Sequence, residues 1–276
     1  MPEGDTIFRA ARTLHRALAQ KVVVRFESML PLLTRVDEDS PITGRTIESV
    51  NSLGKHILMR FSGDLVLRTH MRMNGSWHIY RPGERWRRRR NDMRIVVATH
   101  DFEAVGFNIP VAEFIRSSEL DRSRELKRLG PDVLSQTFDA EESVRRIRER
   151  KHVQIGDVLL DQSAIAGIGN VYKSEILFAC RVNPFVLAGS LDEKTVIQLV
   201  DTARKFLAAN VAEGSAMSPM TTYSGYRRTT RRDDPRERLW VYGRARRPCR
   251  RCGTPISARA QGKDARLTYF CNNCQA

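Results

Sequence analysis

The stretch from Cys249 to Cys274, "CRRCGTPISARAQGKDARLTYFCNNC", constrains the fold more tightly than any other part of this 276-residue chain. Cys249 and Cys252 enclose two residues, Cys271 and Cys274 enclose two more, and 18 residues separate the pairs. A CxxC knuckle turns two thiolates toward one point, and four thiolates in a tetrahedron suit Zn2+. Between the knuckles, "PISARA" and "RLTYF" flank the turn sequence "QGKD", which predicts a hairpin that brings them together. Two disulfides or a redox-active CxxC are the alternatives; the redox motif lacks its usual βαβ context here. One structural zinc ion held by Cys249, Cys252, Cys271 and Cys274 is the expectation. It describes how the tail folds, not what the chain does. The fifth cysteine, Cys180 in "ILFACRV", ends an apolar segment and reads as a small buried hydrophobe.

Charge narrows the choice of partner. Lys and Arg number 47 against 32 Asp and Glu, for a net charge of +15. Such an excess favours a polyanion, with nucleic acid ahead of an anionic membrane, over a merely soluble surface. The charge is concentrated in Arg81–Arg94, "RPGERWRRRRNDMR", and in Arg227–Arg251. Both are richer in Arg than in Lys, which suits the forked recognition of phosphate. The Gly- and Pro-flanked stretch 81–92 also reads as a merely disordered loop. No apolar run approaches the roughly 18 residues of a membrane span. The first 20 residues show no secretory apolar core, so the expected compartment is the cytoplasm, with nucleoid association in a bacterium.

Periodicity divides the chain. Residues 5–19 set Ile7, Phe8, Ala11, Leu14, Ala17 and Leu18 on one helical stripe, with Asp5 or Thr6 placed to cap it. From 21 to about 115, short alternating runs such as "KVVVRF", "KHILMRF", "DLVLRTH" and "MRIVVATH" predict an antiparallel sandwich. Residues 116–137 read as a polar connector, and helical periods follow in "FDAEESVRRIRERK", "QIGDVLLD", "VYKSEILFAC" and the segment ending at Gly214. The expected class is α+β. A helix and two-layered sandwich occupy 1–120, a helical domain 121–238 and a zinc finger 239–276.

Two motifs remain. In "DQSAIAGIGNVYKSEI", Gly167 and Gly169 bracket a sharp turn and Asn170 is placed to cap the next helix. Such a turn exposes backbone N–H groups to a phosphate, although it is often only a tight turn. The opening "MPEGDT" is unusual because chain ends ordinarily fray. Removal of Met1 leaves Pro2 as a free secondary amine. An α-amino group titrates at about 7.7–8.0, so roughly a tenth is free base at neutral pH, against well under a thousandth for lysine. Such an amine is a nucleophile that needs little tuning, and Glu3 beside it can move protons. Most chains that begin Met-Pro use the proline for nothing chemical.

The segments "MPEGDT", "GKHIL", "HMRMNGSW", "LGPDVLS", "DQSAIAGIGNVYKSEILF" and "VYGR", followed by the four-cysteine tail, together resemble the formamidopyrimidine-DNA glycosylase/endonuclease VIII family of bifunctional base-excision enzymes. The opening is similar to the endonuclease VIII branch. The resemblance implies two lobes, with a helix–two-turn–helix motif in the second and DNA bound in the cleft between them. It implies Pro2 as the nucleophile at the sugar C1′ and Glu3 as the acid that opens the sugar ring. It implies phosphate contacts from Lys55, Asn170 and Arg266, with Lys55 and Arg266 also serving the reaction, and a supporting, DNA-contacting carboxylate at Glu175.

A flipped-out nucleotide leaves a hole in the stack that an apolar wedge must fill. Met73 is the candidate, although a methionine beside a strand also reads as core. The arginine of the purine branch's Arg-Phe-Gly segment is missing from "HDFEAVGFN", and the loop "EGSAMSPMTTYSGYRR" departs from the purine pattern. Both differences favour oxidised pyrimidines, removed with β,δ-elimination. The expected partner is DNA with oxidised bases or abasic sites, as duplex or single strand, met by a monomer without membrane contact. The alternatives are an 8-oxoguanine enzyme and a catalytically silent zinc-ribbon DNA-binding protein.

Overall fold

A computed structural model describes residues 2–120, 122–212, 227–230 and 234–276. The fold is α+β, and it separates into two compact units at Lys127 and Arg128.

In the first unit, α1 (Gly4–Leu18) buries Ile7, Ala10, Ala11, Leu14 and Leu18, the 3–4 spacing of an amphipathic helix. The cap residue is Glu3, in extended conformation. Its carbonyl accepts from the N–H groups of Thr6 and Ile7 at 2.9 and 3.0 Å. Asp5 and Thr6 therefore lie inside the first turn and do not cap the helix as the sequence suggested.

The predicted run "KVVVRF" is two strands. The Val23 N–H donates to Arg45 and the next one, Val24, to Ala98, so the chain changes sheets between β1 (Lys21–Val22) and β2 (Arg25–Ser28). A helix not anticipated, α2 (Pro31–Asp39), follows with Pro31 in its first turn and Leu33 as its buried contact. The remaining strands are β3 (Thr46–Leu53), β4 (His56–Phe61), β5 (Leu65–His70), β6 (Ser76–Tyr80), β7 (Met93–Ala98), β8 (Glu103–Phe107) and β9 (Val111–Arg116). They form two antiparallel sheets ordered β1-β3-β4-β5-β9 and β2-β7-β8-β6.

Between the sheets, Ile57, Met59, Phe61 and Leu67 meet Trp77, Ile95 and Val97, and the stripe of α1 joins the same core. Because strand side chains alternate, Tyr80, Val96, Ala98, Val105 and Phe107 form a second cluster, against which Trp86 packs. β3 and β4 are joined by the two-residue turn Gly54–Lys55, since Leu53 pairs with His56. Gly54 has φ +57°, as the first central position of a type II′ turn requires.

The polar connector is not featureless: α3 (Ser117–Leu120) and α4 (Arg124–Lys127) punctuate it. The second unit holds α5 (Ala140–Glu149), α6 (Ile155–Val158), α7 (Asn170–Ala179) and α8 (Glu193–Ala209), then the hairpin β10 (Ser257–Gln261) and β11 (Arg266–Phe270). Asp139 and Asp192 accept the N–H groups of Glu142 and Thr195, both at 2.8 Å, as caps of α5 and α8. Tyr172, Ile176 and Leu177 of α7 share a core with Leu199, Val200 and Leu207 of α8. Among the described residues, no helix is long and apolar enough to cross a membrane.

Phe61 is 1% exposed in the sandwich core. Phe61→Ala is expected to destabilise the fold by about 3–5 kcal/mol, read as a lower denaturation midpoint.

Candidate active site

The predicted site residues divide between the two units. In the first, Pro2 and Glu3 sit buried at the head of α1, and Glu3 is 0% exposed. They are held there by the helix, whose apolar stripe is sunk into the sandwich core. Lys55 is half-buried at the β3–β4 turn. Beside it, His56 and Arg68 are buried, and Arg68 Nε donates to Glu113 at 2.8 Å. Sequence reading passed over this charged cluster, because basic residues in alternating strands look solvent-facing.

Met73 is 59% exposed, so it is not the core methionine that was the alternative. It tops a tight turn in which the Gly75 N–H donates to Met71 O at 2.9 Å. A Cβ at Gly75 would lie 2.5 Å from that same oxygen, so glycine is what lets the turn close. Arg72, Met73 and Asn74 line an open groove of about 730 Å3 with Arg88, Arg94 and Asn108.

In the second unit, Asn170 is the first residue of α7, and Gly169 occupies the cap position. Contrary to the sequence expectation, the side chain does not cap its own helix; its Nδ2 donates to Leu267 O at 2.8 Å. That bond sets Asn170 against β11, beside Arg266. The Arg266 side chain is 39% exposed, and its guanidinium pairs with Asp264 at 3.2 Å. Lys173 is fully buried and donates to Thr268 Oγ1 of the same strand. The two elements expected to hold phosphate are thus built as one piece.

Glu175 is placed differently from the expectation of a DNA-contacting carboxylate. It is 0% exposed, so its oxygens face protein. They accept the N–H groups of Trp240 at 2.8 Å, Val241 at 2.9 Å and Tyr242 at 2.8 Å, together with the Thr229 hydroxyl. Burial pushes the carboxyl up, and these four donors oppose the shift. No sequence signal marks such a clamp, because three of its partners are backbone amides. The loop "EGSAMSPMTTYSGYRR" lies outside the described residues except for its last two.

The four tail cysteines converge, with their Sγ atoms within 4.8 Å of one another. Cys249 and Cys274 are 4.0 Å apart, and Cys252 and Cys271 3.5 Å. Zn–S bonds of about 2.3 Å give tetrahedral S···S edges of roughly 3.8 Å, whereas a disulfide needs about 2.05 Å. Both of these approaches run between knuckles, so the donor set fits a divalent ion shared by both. Cys180 is half-buried, and its thiol donates to Thr202 Oγ1 at 3.3 Å.

Three family models match in chain order. They describe the formamidopyrimidine-DNA glycosylase N-terminal domain over residues 1–108, its H2TH domain over 129–221, and the zinc finger found in FPG and IleRS over 247–276. A probable endonuclease 8 2 of Streptomyces coelicolor is 40% identical, covering 100% of this chain and 94% of that one. The DNA-(apurinic or apyrimidinic site) lyase Nei2 of Mycolicibacterium smegmatis is 34% identical, covering 100% and 99%. The Lactococcus lactis formamidopyrimidine-DNA glycosylase, solved on DNA containing an abasic site, superposes with a TM-score of 0.80 at 22% identity over 99% of both chains.

Glu175→Gln replaces an acceptor oxygen by a donor and leaves buried amides unmatched. It is expected to cost about 1–3 kcal/mol, seen as a lower melting temperature. Cys271→Ser is expected to release zinc to a chromophoric chelator and to lower the melting temperature. Retained zinc with unchanged melting would count against the tetrathiolate.

Proposed function

Because the chain belongs to the formamidopyrimidine-DNA glycosylase/endonuclease VIII family, we propose that it is a bifunctional DNA glycosylase and abasic-site lyase of base-excision repair. The observation that carries this reading is the Pro2–Glu3 pair at the head of α1, in a chain that matches its relatives over its whole length. In the proposed reaction the Pro2 nitrogen attacks C1′ of the damaged nucleotide and the glycosidic bond breaks, so the base leaves with its electron pair. Glu3 protonates the ring oxygen, and the sugar opens to an iminium on Pro2. Loss of a C2′ proton expels the 3′ phosphate, and a second elimination expels the 5′ phosphate.

Lys55, Asn170 and Arg266 hold the phosphates in this scheme, giving affinity without reading sequence. Met73, exposed at its turn, fills the gap left by the flipped base. One zinc ion keeps the tail folded and takes no part in the reaction. The substrate favoured is an oxidised pyrimidine, since the region Asp101–Asn108 carries no arginine. The reading has the chain acting as a monomer on duplex DNA, with single strands also accepted.

Borohydride trapping tests this directly. Untagged protein is mixed with DNA carrying an abasic site, thymine glycol, 5-hydroxyuracil or 8-oxoguanine, in single and double strands, and the adduct is mapped by peptide. An adduct at Pro2 is expected, with oxidised pyrimidines ahead of 8-oxoguanine. Pro2→Gly and Glu3→Gln are expected to depress turnover while leaving DNA binding largely intact. Tight binding with no adduct on any substrate would instead support a silent binding protein.

A further inference from the structure

The arginine-dense segment between β6 and β7 is absorbed by none of the roles above. It is not a loosely tethered tail. Trp86 is half-buried, packs against the outer cluster of the four-stranded sheet, and donates from Nε1 to Glu103 Oε1 at 2.5 Å. Its ring lies edge-on to Phe107 at 5.7 Å. Arg90 sits over the Trp86 ring at 5.8 Å and pairs with Glu27 at 3.4 Å.

A buried chain of polar groups fixes the other side of the segment. The Arg87 N–H donates to Tyr80 Oη at 3.2 Å, Tyr80 lies 3.2 Å from His78 Nδ1, and His78 Nε2 lies 3.0 Å from Ser76 Oγ. Burial, then the Arg88 and Arg87 guanidiniums, hold His78 down to about 4, so its imidazole is neutral. Each ring nitrogen is thus satisfied by one hydroxyl, Nδ1 by Tyr80 and Nε2 by Ser76.

So pinned, the segment exposes Arg85, Arg87, Arg88 and Arg89. Arg88 also enters the groove that Arg72, Met73, Asn74, Arg94 and Asn108 line. The groove's lining has three guanidiniums, two side-chain amides and no carboxylate. A surface of that kind repels cations and suits a phosphate backbone, on which arginine forks are geometrically matched.

We propose that Arg85–Arg90 is a DNA phosphate-binding element, held in place by Trp86 and continuous with the groove at Met73. The proposal rests on the DNA reading above and extends the bound backbone beyond Lys55, Asn170 and Arg266. Arg85, Arg88 and Arg89 supply the charge, and Trp86 with the Ser76–His78–Tyr80 chain positions it.

The test uses the full chain and a fluorescent duplex with a tetrahydrofuran abasic-site analogue, titrated by anisotropy between about 50 and 200 mM salt. Two triple variants at Arg85, Arg88 and Arg89 are compared with the parent, one with every arginine changed to Gln and one with every arginine changed to Lys. The Gln variant is expected to bind more weakly and to lose about 2 to 3 from the slope of log K against log salt, close to one per phosphate contact. The Lys variant is expected to keep the parent slope. A Gln variant with the parent's slope overturns the proposal while leaving the glycosylase reading intact. Equal losses in both variants, with lowered melting temperatures, overturn it in favour of a structural loop. Loss of binding to phosphatidylglycerol vesicles with an unchanged DNA slope overturns it in favour of a membrane surface. A parent protein that neither binds DNA nor is trapped by borohydride removes the glycosylase reading itself.

Discussion

The nucleophile proposed here, Pro2, can serve only if its end of the chain is held still, and α1 does the holding. Its stripe of Ile7, Ala10, Ala11, Leu14 and Leu18 is buried in the core shared by the two sheets. Each of the larger side chains contributes about 1.5–3 kcal/mol when removed from water. The Val50 N–H adds a tie by donating to His15 Nδ1 at 3.1 Å. Glu3 is fixed because its carbonyl starts the helix, and Pro2 precedes it by one peptide unit. The sandwich thus acts as a mount for two residues that would otherwise fray.

The second unit solves a different problem. Its tail packs Val241, Ile256, Cys249 and Cys271 around Phe178 of α7, and sulfur convergence and polar bonds to α7 add to that small apolar cluster. Glu175 is the densest of those polar ties, since one carboxylate accepts from three consecutive amides and a hydroxyl. Removing either partner of such a buried set leaves the other unsatisfied, which costs more than the bond itself contributes.

Much of this was legible in the sequence. The cysteine spacing predicted the converging thiols, and the "QGKD" turn predicted the hairpin, because both depend on local chemistry. The strands of the sandwich were readable from alternation. What failed was tertiary. The two halves of "KVVVRF" join different sheets because their N–H groups meet Arg45 and Ala98, acceptors far away in sequence. Asn170 has the composition of a cap but spends its amide on Leu267. Glu175 looks like an ordinary helical glutamate until residues 240–242 close over it. Met73 was ambiguous because a methionine next to a strand fits core and surface equally well; only the Gly75 turn turns it outward.

Three consecutive residues of α7 are all fully buried, two against β11 and one against the segment before the cysteines. Lys173 reaches Thr268, Ser174 Oγ accepts from the Tyr269 N–H at 3.4 Å, and Glu175 holds residues 240–242. This wrapping determines how the second unit comes apart. Lifting the hairpin takes the β11 partners from Lys173 and Ser174, and lifting residues 240–242 takes three amides from Glu175, so each step leaves a buried polar group of α7 unmatched. Opening α7 and releasing the tail therefore become a single cooperative event, a foldon that joins the helix to the zinc ribbon across nearly a hundred residues of sequence. Amides of α7 and β11 should then exchange with solvent on one shared timescale.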